Sequence, residues 1–167
     1  MNKVFFDLEW NTGFLDGNSF DEIIEIGAVK TDEEYRQIDG FRRLIRPVIY
    51  RKMNPYIQKI LAITMKDLRD ADPLGAVAKE FFDWCGDCDT LIAWSSNDFG
   101  VLEKNLAHID MSIPESLGRY DVQMAYAYRT EKSIRNYALK TAVEAMELLE
   151  PEVEEMVVYP LLEAFAP

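Results

Sequence analysis

The order of strand-like and helix-like segments is the feature that most limits the folds open to this chain. Three apolar segments rich in Ile, Val and Phe lie within the first 47 residues, namely KVFFDLE, EIIEIGAVKT and YRQIDGFRRLIRP. The connections between them are short, which favours antiparallel neighbours. Pro47 ends the third segment, because proline cannot donate to a sheet ladder. The first third of the chain is therefore predicted to form an antiparallel three-stranded meander.

The pattern changes after Pro47. Two segments, NPYIQKILAI and DPLGAVAKEFFDWCGD, open with an Asx-Pro pair, which is typical of a capped helix start. The strand TLIAW, the helix NDFGVLEKNLAHI opened by Asn97 or Asp98, the short strand RYDVQ and the helix NYALKTAVEAMELLEPE follow. Alternating helices and strands after an antiparallel set predict an α/β fold, a mixed sheet with helices on both faces. We expect one domain over residues 1–167.

Cysteine content and apolar runs indicate the compartment. Cys85 and Cys88 are the only cysteines, too few for a disulfide framework, and a zinc site would need two further ligands. This pair lies at a helix end, whereas redox pairs favour helix starts, so a packing role is expected. No signal-peptide pattern opens the chain, and no run approaches the ~18 apolar residues of a membrane span. We predict a cytoplasmic protein with no membrane partner.

The formal net charge of −12 argues against a protein coated with basic residues that binds nucleic acid over its whole surface. The charge is unevenly distributed, however. Residues 41–66 hold seven Lys and Arg and no acid, while residues 144–163 hold seven Glu and no base. Tyr50 and Tyr56 lie among the cations of the first stretch, a mixture that suits phosphates and bases. A solvated basic face is the alternative interpretation.

Two carboxylates, Asp7 and Glu9, end the first apolar strand. Residues two apart in a strand point to the same face, so these like charges would repel unless a proton or a cation lies between them. Carboxylate oxygens suit Mg²⁺ and Mn²⁺, and a site for such a divalent metal is predicted. An EF-hand is excluded, because Thr12 and Asn18 occupy the positions that need Gly and Glu.

Asp98 lies where the buried strand TLIAW meets the following helix. Sites in α/β sheets assemble at the carboxyl ends of strands, and the helix dipole favours a carboxylate at a helix start. A simple N-cap is the alternative for Asp98 alone. Together with Asp7 and Glu9, it completes a candidate set of three acids.

These segments together resemble a known family. FFDLEWN, EIIEIGAVK, ITMKDLRDADPLGAVAKEFFDW, LIAWSSNDFGVLEKNL and YDVQ occur in the order seen in DEDD-type 3′–5′ exonucleases, and the resemblance runs from residue 3 to about 148. It implies a ribonuclease H-like fold and hydrolysis of phosphodiester bonds at single-stranded DNA or RNA 3′ ends with two Mg²⁺ or Mn²⁺ ions.

The resemblance also implies roles for individual residues. Asp7 would bridge both ions, and Glu9 and Asp98 would each hold one, while Glu25 would support the site. Around these acids, contacts to the terminal nucleotide are expected from the following three residues: Trp10, Asn11 and Phe99.

The family's third motif, a His or Tyr followed by a metal-binding Asp, has no direct match. His108 is the only histidine and falls within the Asp98 helix, where a surface position is expected. The nearest substitute is Tyr159 with Glu163, as water-orienting residue and fourth ligand. The segment of about 150–167 is accordingly atypical or truncated for the family. Its apolar end, VVYPLLEAFAP, could pack against a second copy of the chain.

The sequence therefore predicts a metal-dependent 3′–5′ exonuclease, with activity depending on that substitute motif. A non-catalytic module that binds nucleic acid or protein on the same fold is the alternative. A metal-dependent phosphatase acting on small phosphomonoesters is a third hypothesis.

Overall fold

The computed structural model describes residues 1–130 and 138–145. Within them, the five strands are β1 (Lys3–Leu15), β2 (Asn18–Thr31), β3 (Gln37–Leu44), β4 (Thr90–Ala93) and β5 (Gly118–Asp121). The helices of the same ranges are α1 (Pro55–Leu61), α2 (Met65–Leu68), α3 (Leu74–Cys85), α4 (Ser96–Ala107), α5 (Val122–Thr130) and α6 (Leu139–Ala145). None of these helices is long and apolar enough to span a bilayer.

The strands form one mixed sheet in the order β3-β2-β1-β4-β5. The first three strands are antiparallel, and β4 and β5 add in parallel through helical crossovers. The predicted meander followed by alternating helices and strands is thus confirmed, and the fold is ribonuclease H-like. β1 lies in the centre, and its carboxylates Asp7 and Glu9 lie beside β2 but beyond the pairing with β4, which ends at Phe5.

The hairpin of β1 and β2 extends well beyond the apolar segments that predicted it. Asp16 and Gly17 connect the strands with φ values of 50° and 82°. Positive φ at both positions is typical of the tight hairpin turn that Asp-Gly pairs favour. The expectation that the first strand ends near Glu9 is wrong, because the ladder pairs Leu15 with Asn18.

Side chains pack on both faces of the sheet. The larger core joins the β1 residues Val4, Phe6 and Leu8 to apolar residues of α3 and α4. A smaller cluster on the other face joins β2 to α1 and α2, and its buried members are Ile24, Met53 and Leu68. The acidic positions of β1 alternate with those of the larger core, so they lie on the face with the smaller cluster.

Of two predicted helix starts, one is confirmed and the other differs from the sequence prediction. Asn54 caps α1 as expected, with its side chain accepting the Tyr56 N–H at 2.9 Å. α4 is capped by Ser95 rather than by Asn97 or Asp98, because the Ser95 hydroxyl accepts the Asn97 N–H at 3.3 Å. Asp98 therefore lies in the first turn of α4 and its carboxylate is available to the site.

Cys85 and Cys88 are buried free thiols, in line with a packing role. Burial raises the pKa of Cys85 to about 12. The thiol thus stays protonated and inert at neutral pH.

Candidate active site

Asp7 and Glu9 project from the same face of β1, as the alternation of strand residues requires. The cross-strand partner of Glu9 is Glu25 of β2, and the partner of Asp7 is Gly27. Directly paired residues point to one side of a sheet, so Glu25 adds a third carboxylate to this face. The sheet register therefore concentrates acid here more strongly than β1 alone.

Asp98 approaches the same place from the start of α4, at the carboxyl end of β4. Its side chain is 6% exposed and accepts a hydrogen bond from the Ser95 hydroxyl at 3.3 Å. Backbone hydrogen bonds from Ser95 and Leu8 also lower the pKa of Asp98, although burial raises it overall. The Asp98 carboxylate is thus near Leu8, the strand residue that separates Asp7 from Glu9.

The carboxylates of this cluster repel one another. Burial raises the pKa of Asp7 to about 7, and the charges of Asp98 and Glu9 add to that increase. Burial likewise raises the pKa of Glu9 to about 7, followed by the charges of Glu25 and Asp98. Grouped carboxylates of raised pKa are typical of functional sites, because a bound cation can relieve the repulsion.

The donor set of Asp7, Glu9 and Asp98 suits a hard divalent cation, since all its atoms are carboxylate oxygens. Over residues 1–130 and 138–145, no three acidic, His or Cys side chains already converge as a finished metal site. The shared face and the mutual effect on pKa still place these three residues in one cluster. They are the residues that would hold Mg²⁺ or Mn²⁺.

Because these buried carboxylates repel one another, the metal-free protein is predicted to lose stability as the pH rises. The folded-state pKa of Asp7 and Glu9 lies near 7, above ordinary values of 3.8 and 4.5, so the folded state binds more protons between about pH 4 and 7. The stability contributed by these groups is therefore present at low pH and lost as pH rises through 7. We expect a loss on the order of 1–2 kcal/mol, or about 2–8 °C in Tm, between about pH 5 and 8 in EDTA.

Calorimetry with and without metal checks this expectation. Adding Mg²⁺ or Mn²⁺ at about pH 8 should restore Tm, and the double variant Asp7→Asn/Glu9→Gln should have a flatter profile. A double variant with the wild-type pH profile would contradict the assignment.

Arg42 of β3 is the cation of this acidic face. Its guanidinium forms an ion pair with the buried Glu25, and its charge lowers the pKa of Glu9. The neighbouring Arg43 instead pairs with Glu80 at the surface, at 2.6 Å. Arg42 thus compensates charge inside the site, whereas Arg43 does not.

The two arginines provide a matched comparison. Arg42→Gln leaves Glu25 buried without its partner and is expected to destabilise the fold by about 1–2 kcal/mol, allowing for the half-exposed guanidinium. Arg43→Gln should cost less than about 0.5 kcal/mol. Urea unfolding measures both, and equal losses would contradict the role of Arg42. Adding Glu25→Gln to Arg42→Gln should recover most of the loss.

Comparison with known protein families shows which family the chain belongs to. A family model described as an exonuclease of the RNase T type matches residues 4–148. The chain belongs to this exonuclease family. The DEDD-type resemblance predicted from the sequence is therefore confirmed. No curated protein sequence matches the chain.

Solved structures of similar fold are also exonucleases. One is the nuclease domain of 3′hExo, a DEDDh family member bound to rAMP, with 18% identity, a TM-score of 0.73 and coverage of 87% of this chain and 78% of that one. Another is a 3′-exonuclease that recognises the 3′ end of a histone mRNA stem-loop. It has 18% identity, a TM-score of 0.74 and coverage of 87% of this chain and 54% of that one. E. coli Exonuclease I with a bound oligonucleotide has 17% identity, a TM-score of 0.66 and coverage of 99% of this chain and 41% of that one. The chain thus spans about half or less of the last two, and these likenesses show the fold.

The three predicted nucleotide contacts of this exonuclease-family chain differ in burial. Trp10 is half-buried and packs at the margin of the larger core, which leaves part of its ring accessible. Phe99 is buried against Phe6, with ring centroids 5.1 Å apart. Asn11 is buried too, and its amide bonds backbone atoms of Lys52 and Asn54. The structure thus gives Phe99 and Asn11 partners inside the fold, and their contact with a nucleotide stays a prediction.

The predictions for the third motif fall outside the part of the chain that the structure describes. Tyr159, Glu163 and the apolar end VVYPLLEAFAP all lie beyond residue 145. His108 is exposed at the end of α4, as expected, and its ring lies 5.7 Å from that of Phe20.

Sequence reasoning missed one buried acid, Glu22 at the start of the apolar β2 core. Its carboxylate accepts the backbone N–H groups of Val48, Ile49 and Tyr50 at 2.6, 2.7 and 2.9 Å. The signal was available, because an acid adjoining the apolar run IIEIGAV needs hydrogen-bond partners if it is buried. Glu22 holds the loop after β3 against the hairpin beside the site.

Proposed function

We propose that this chain is a metal-dependent 3′–5′ exonuclease that hydrolyses phosphodiester bonds at single-stranded DNA or RNA 3′ ends. The observation that carries the proposal is the cluster of Asp7 and Glu9 on the central strand with Asp98 of α4 in an exonuclease-family fold; burial raises all three pKa values, and repulsion among the carboxylates adds to those of Asp7 and Glu9. Such a site would bind divalent cations, and the bound cations would bind a phosphate group of the substrate.

Each residue has a distinct part in this proposal. Asp7 would be the central ligand, and Glu9 and Asp98 would each hold one ion; burial and the charges of Asp98 and Glu9 raise the pKa of Asp7. The Ser95 hydroxyl donates a hydrogen bond to the Asp98 carboxylate at 3.3 Å and orients it. Bound divalent ions supply a nucleophilic water at neutral pH and stabilise charge on the leaving oxygen.

The remaining positions complete the proposal. The accessible part of the Trp10 ring would contact the terminal nucleotide. Tyr159 and Glu163 remain predictions for the water-orienting residue and the fourth ligand. Two structures of similar fold support a nucleic-acid end as the substrate, since one shows 3′-end-specific recognition of a histone mRNA stem-loop by a 3′-exonuclease and the other shows Exonuclease I in complex with a dA13 oligonucleotide.

A trimming assay tests the function directly. A 5′-labelled single strand of DNA or RNA, incubated with the protein and Mn²⁺, should shorten in single-nucleotide steps, and EDTA should stop the reaction. Endonucleolytic products, or no products in Mg²⁺ or Mn²⁺, would contradict the proposal. Binding of the strand without cleavage would support a non-catalytic module instead, and turnover of nitrophenyl phosphate alone would support a phosphatase.

A further inference from the structure

Residues 46–60, here called the basic segment, follow β3 and include all of α1 except its last residue. We propose that the basic segment is a docking surface for the part of a single-stranded nucleic acid that lies upstream of its 3′ end. This inference deepens the proposed exonuclease function and rests on it. It assigns the strand a path away from the acidic cluster and names the side chains along that path.

Charge is the first argument. Four exposed cations of the basic segment have no acidic partner within the described part of the chain, and they are Arg46, Arg51, Lys52 and Lys59. By contrast, Arg42 and Arg43 just before them are paired. In a chain of net charge −12, a run of unpaired cations is a local exception. A polyanion is the partner whose charge complements it.

Exposed apolar side chains are the second argument. Val48, Tyr56 and Ile60 of the same segment are 67%, 70% and 54% exposed. Single-stranded nucleic acid is bound by grooves that combine cations with aromatic rings, because the rings stack on unpaired bases. Duplex DNA offers no such unpaired faces. The combination of Tyr56 with its basic neighbours therefore favours a single strand.

Fixed backbone is the third argument. Glu22 accepts three N–H groups from residues 48–50, and the buried Asn11 bonds the Lys52 carbonyl at 3.0 Å and the Asn54 N–H at 2.8 Å. The Tyr50 ring lies so close over Gly13 that a Cβ there would meet it at 2.6 Å. The basic segment is thus held in place from the hairpin below, and its outward side chains are pre-positioned for a ligand.

Placement relative to the acidic cluster is the fourth argument. Asp7, Glu9, Asn11 and Gly13 occupy alternate positions on one face of β1, so the basic segment covers the continuation of the face that carries the acids. Asn11 lies two residues beyond Glu9, or roughly 7 Å along the strand. A single-stranded nucleic acid with its 3′ end at the acidic cluster would reach the basic segment within about two to three stacked nucleotides, at ~3.4 Å each.

The test is strand binding in EDTA, where metal-dependent cleavage cannot occur. Fluorescence anisotropy of a labelled 12-nucleotide single strand gives the affinity at several salt concentrations. Arg51→Gln/Lys59→Gln should make the slope of log K against log salt shallower by about 1.4, or 0.7 for each lost phosphate contact. The control Arg36→Gln/Lys79→Gln removes the same charge from paired surface positions and should leave the slope unchanged.

Tyr56 provides an independent readout. Tyr56→Ala should weaken binding roughly 5- to 100-fold, while Tyr56→Phe, which keeps the ring, should bind like the wild type. Circular dichroism confirms that these surface variants remain folded.

Three results would overturn the docking surface: no binding by the wild type at about 50 mM salt, equal slopes for the two double variants, or equal competition by an acidic peptide of matched charge. Failure of the exonuclease proposal is separate. Cleavage with an unchanged slope removes only the docking surface, whereas a shallower slope without cleavage removes only the exonuclease activity.

Discussion

Asp7→Asn is expected to lower the rate of metal-dependent 3′-end trimming by at least about 1000-fold. Burial and the charges of Asp98 and Glu9 raise the pKa of Asp7, and the proposed function makes Asp7 the central ligand of the acidic cluster. A neutral amide cannot replace a carboxylate as a bridging ligand, and losing a few kcal/mol of charge stabilisation costs a factor of ten for each ~1.4 kcal/mol. Single-turnover cleavage of a labelled strand in Mn²⁺ measures the effect.

Asp16→Asn is the matched control for this variant. It makes the same chemical change at the exposed hairpin turn, where φ is positive and asparagine is well tolerated. Asp16→Asn should cleave like the wild type. Asp7→Asn should remain at least as stable as the wild type in EDTA, because it removes one of the repelling charges. Activity of Asp7→Asn within tenfold of the wild type would remove Asp7 from the catalytic centre.

Glu22→Gln is expected to cause the largest loss of stability, about 2–4 kcal/mol. The Glu22 carboxylate is buried and accepts three N–H groups, from residues 48, 49 and 50. Glutamine keeps one acceptor oxygen but turns an NH₂ group toward donors, which leaves buried N–H groups without partners. Urea unfolding measures the free energy, and Tm should fall by about 4–15 °C.

Glu80→Gln separates this effect from a general loss of negative charge. Glu80 is a half-exposed carboxylate paired with Arg43, so its replacement should cost less than about 1 kcal/mol. A Glu22→Gln variant that unfolds within 0.5 kcal/mol of the wild type would show that the loop after β3 does not depend on these three bonds.

The succession of strands and longer helices along the chain was predictable because apolar periodicity reports burial, whereas the short helix α2 and the helix α5 were not predicted. Segments such as KVFFDLE and TLIAW are the central strands, and their residues fill the core. The outer half of the first hairpin was not predicted, because hydrogen bonds hold it more than apolar burial does. Examples are the Thr12 hydroxyl on Asp21 at 2.7 Å and the Asn105 amide on the Asp21 carbonyl at 2.7 Å. Periodicity of hydrophobic residues cannot detect such a strand, although the Asp-Gly turn could.

The candidate site was predictable to the extent that it follows from local geometry. Asp7 and Glu9 share a face by alternation, and Asp98 lies at a strand-to-helix junction. The effect of Glu25 on the pKa of Glu9 depends on which residues of β1 and β2 are paired. That register, and the reach of Arg42 from a third strand, arise only when the sheet forms.

The pairing of β1 with β2 contains a β-bulge, where Glu9 faces Glu25 but the next residue, Trp10, faces Ile23. Ile24 is the extra residue, and it shifts the odd-even alternation of β2, so that Glu22 joins the face that carries Glu25. In a regular ladder that kept all of these residues, Glu22 and Glu25 would be three positions apart and on opposite faces, and the Glu22 carboxylate would point toward the apolar layer. Because of this one extra residue, β2 places Glu25 in the acidic cluster on one side of the bulge and Glu22 against the loop after β3 on the other.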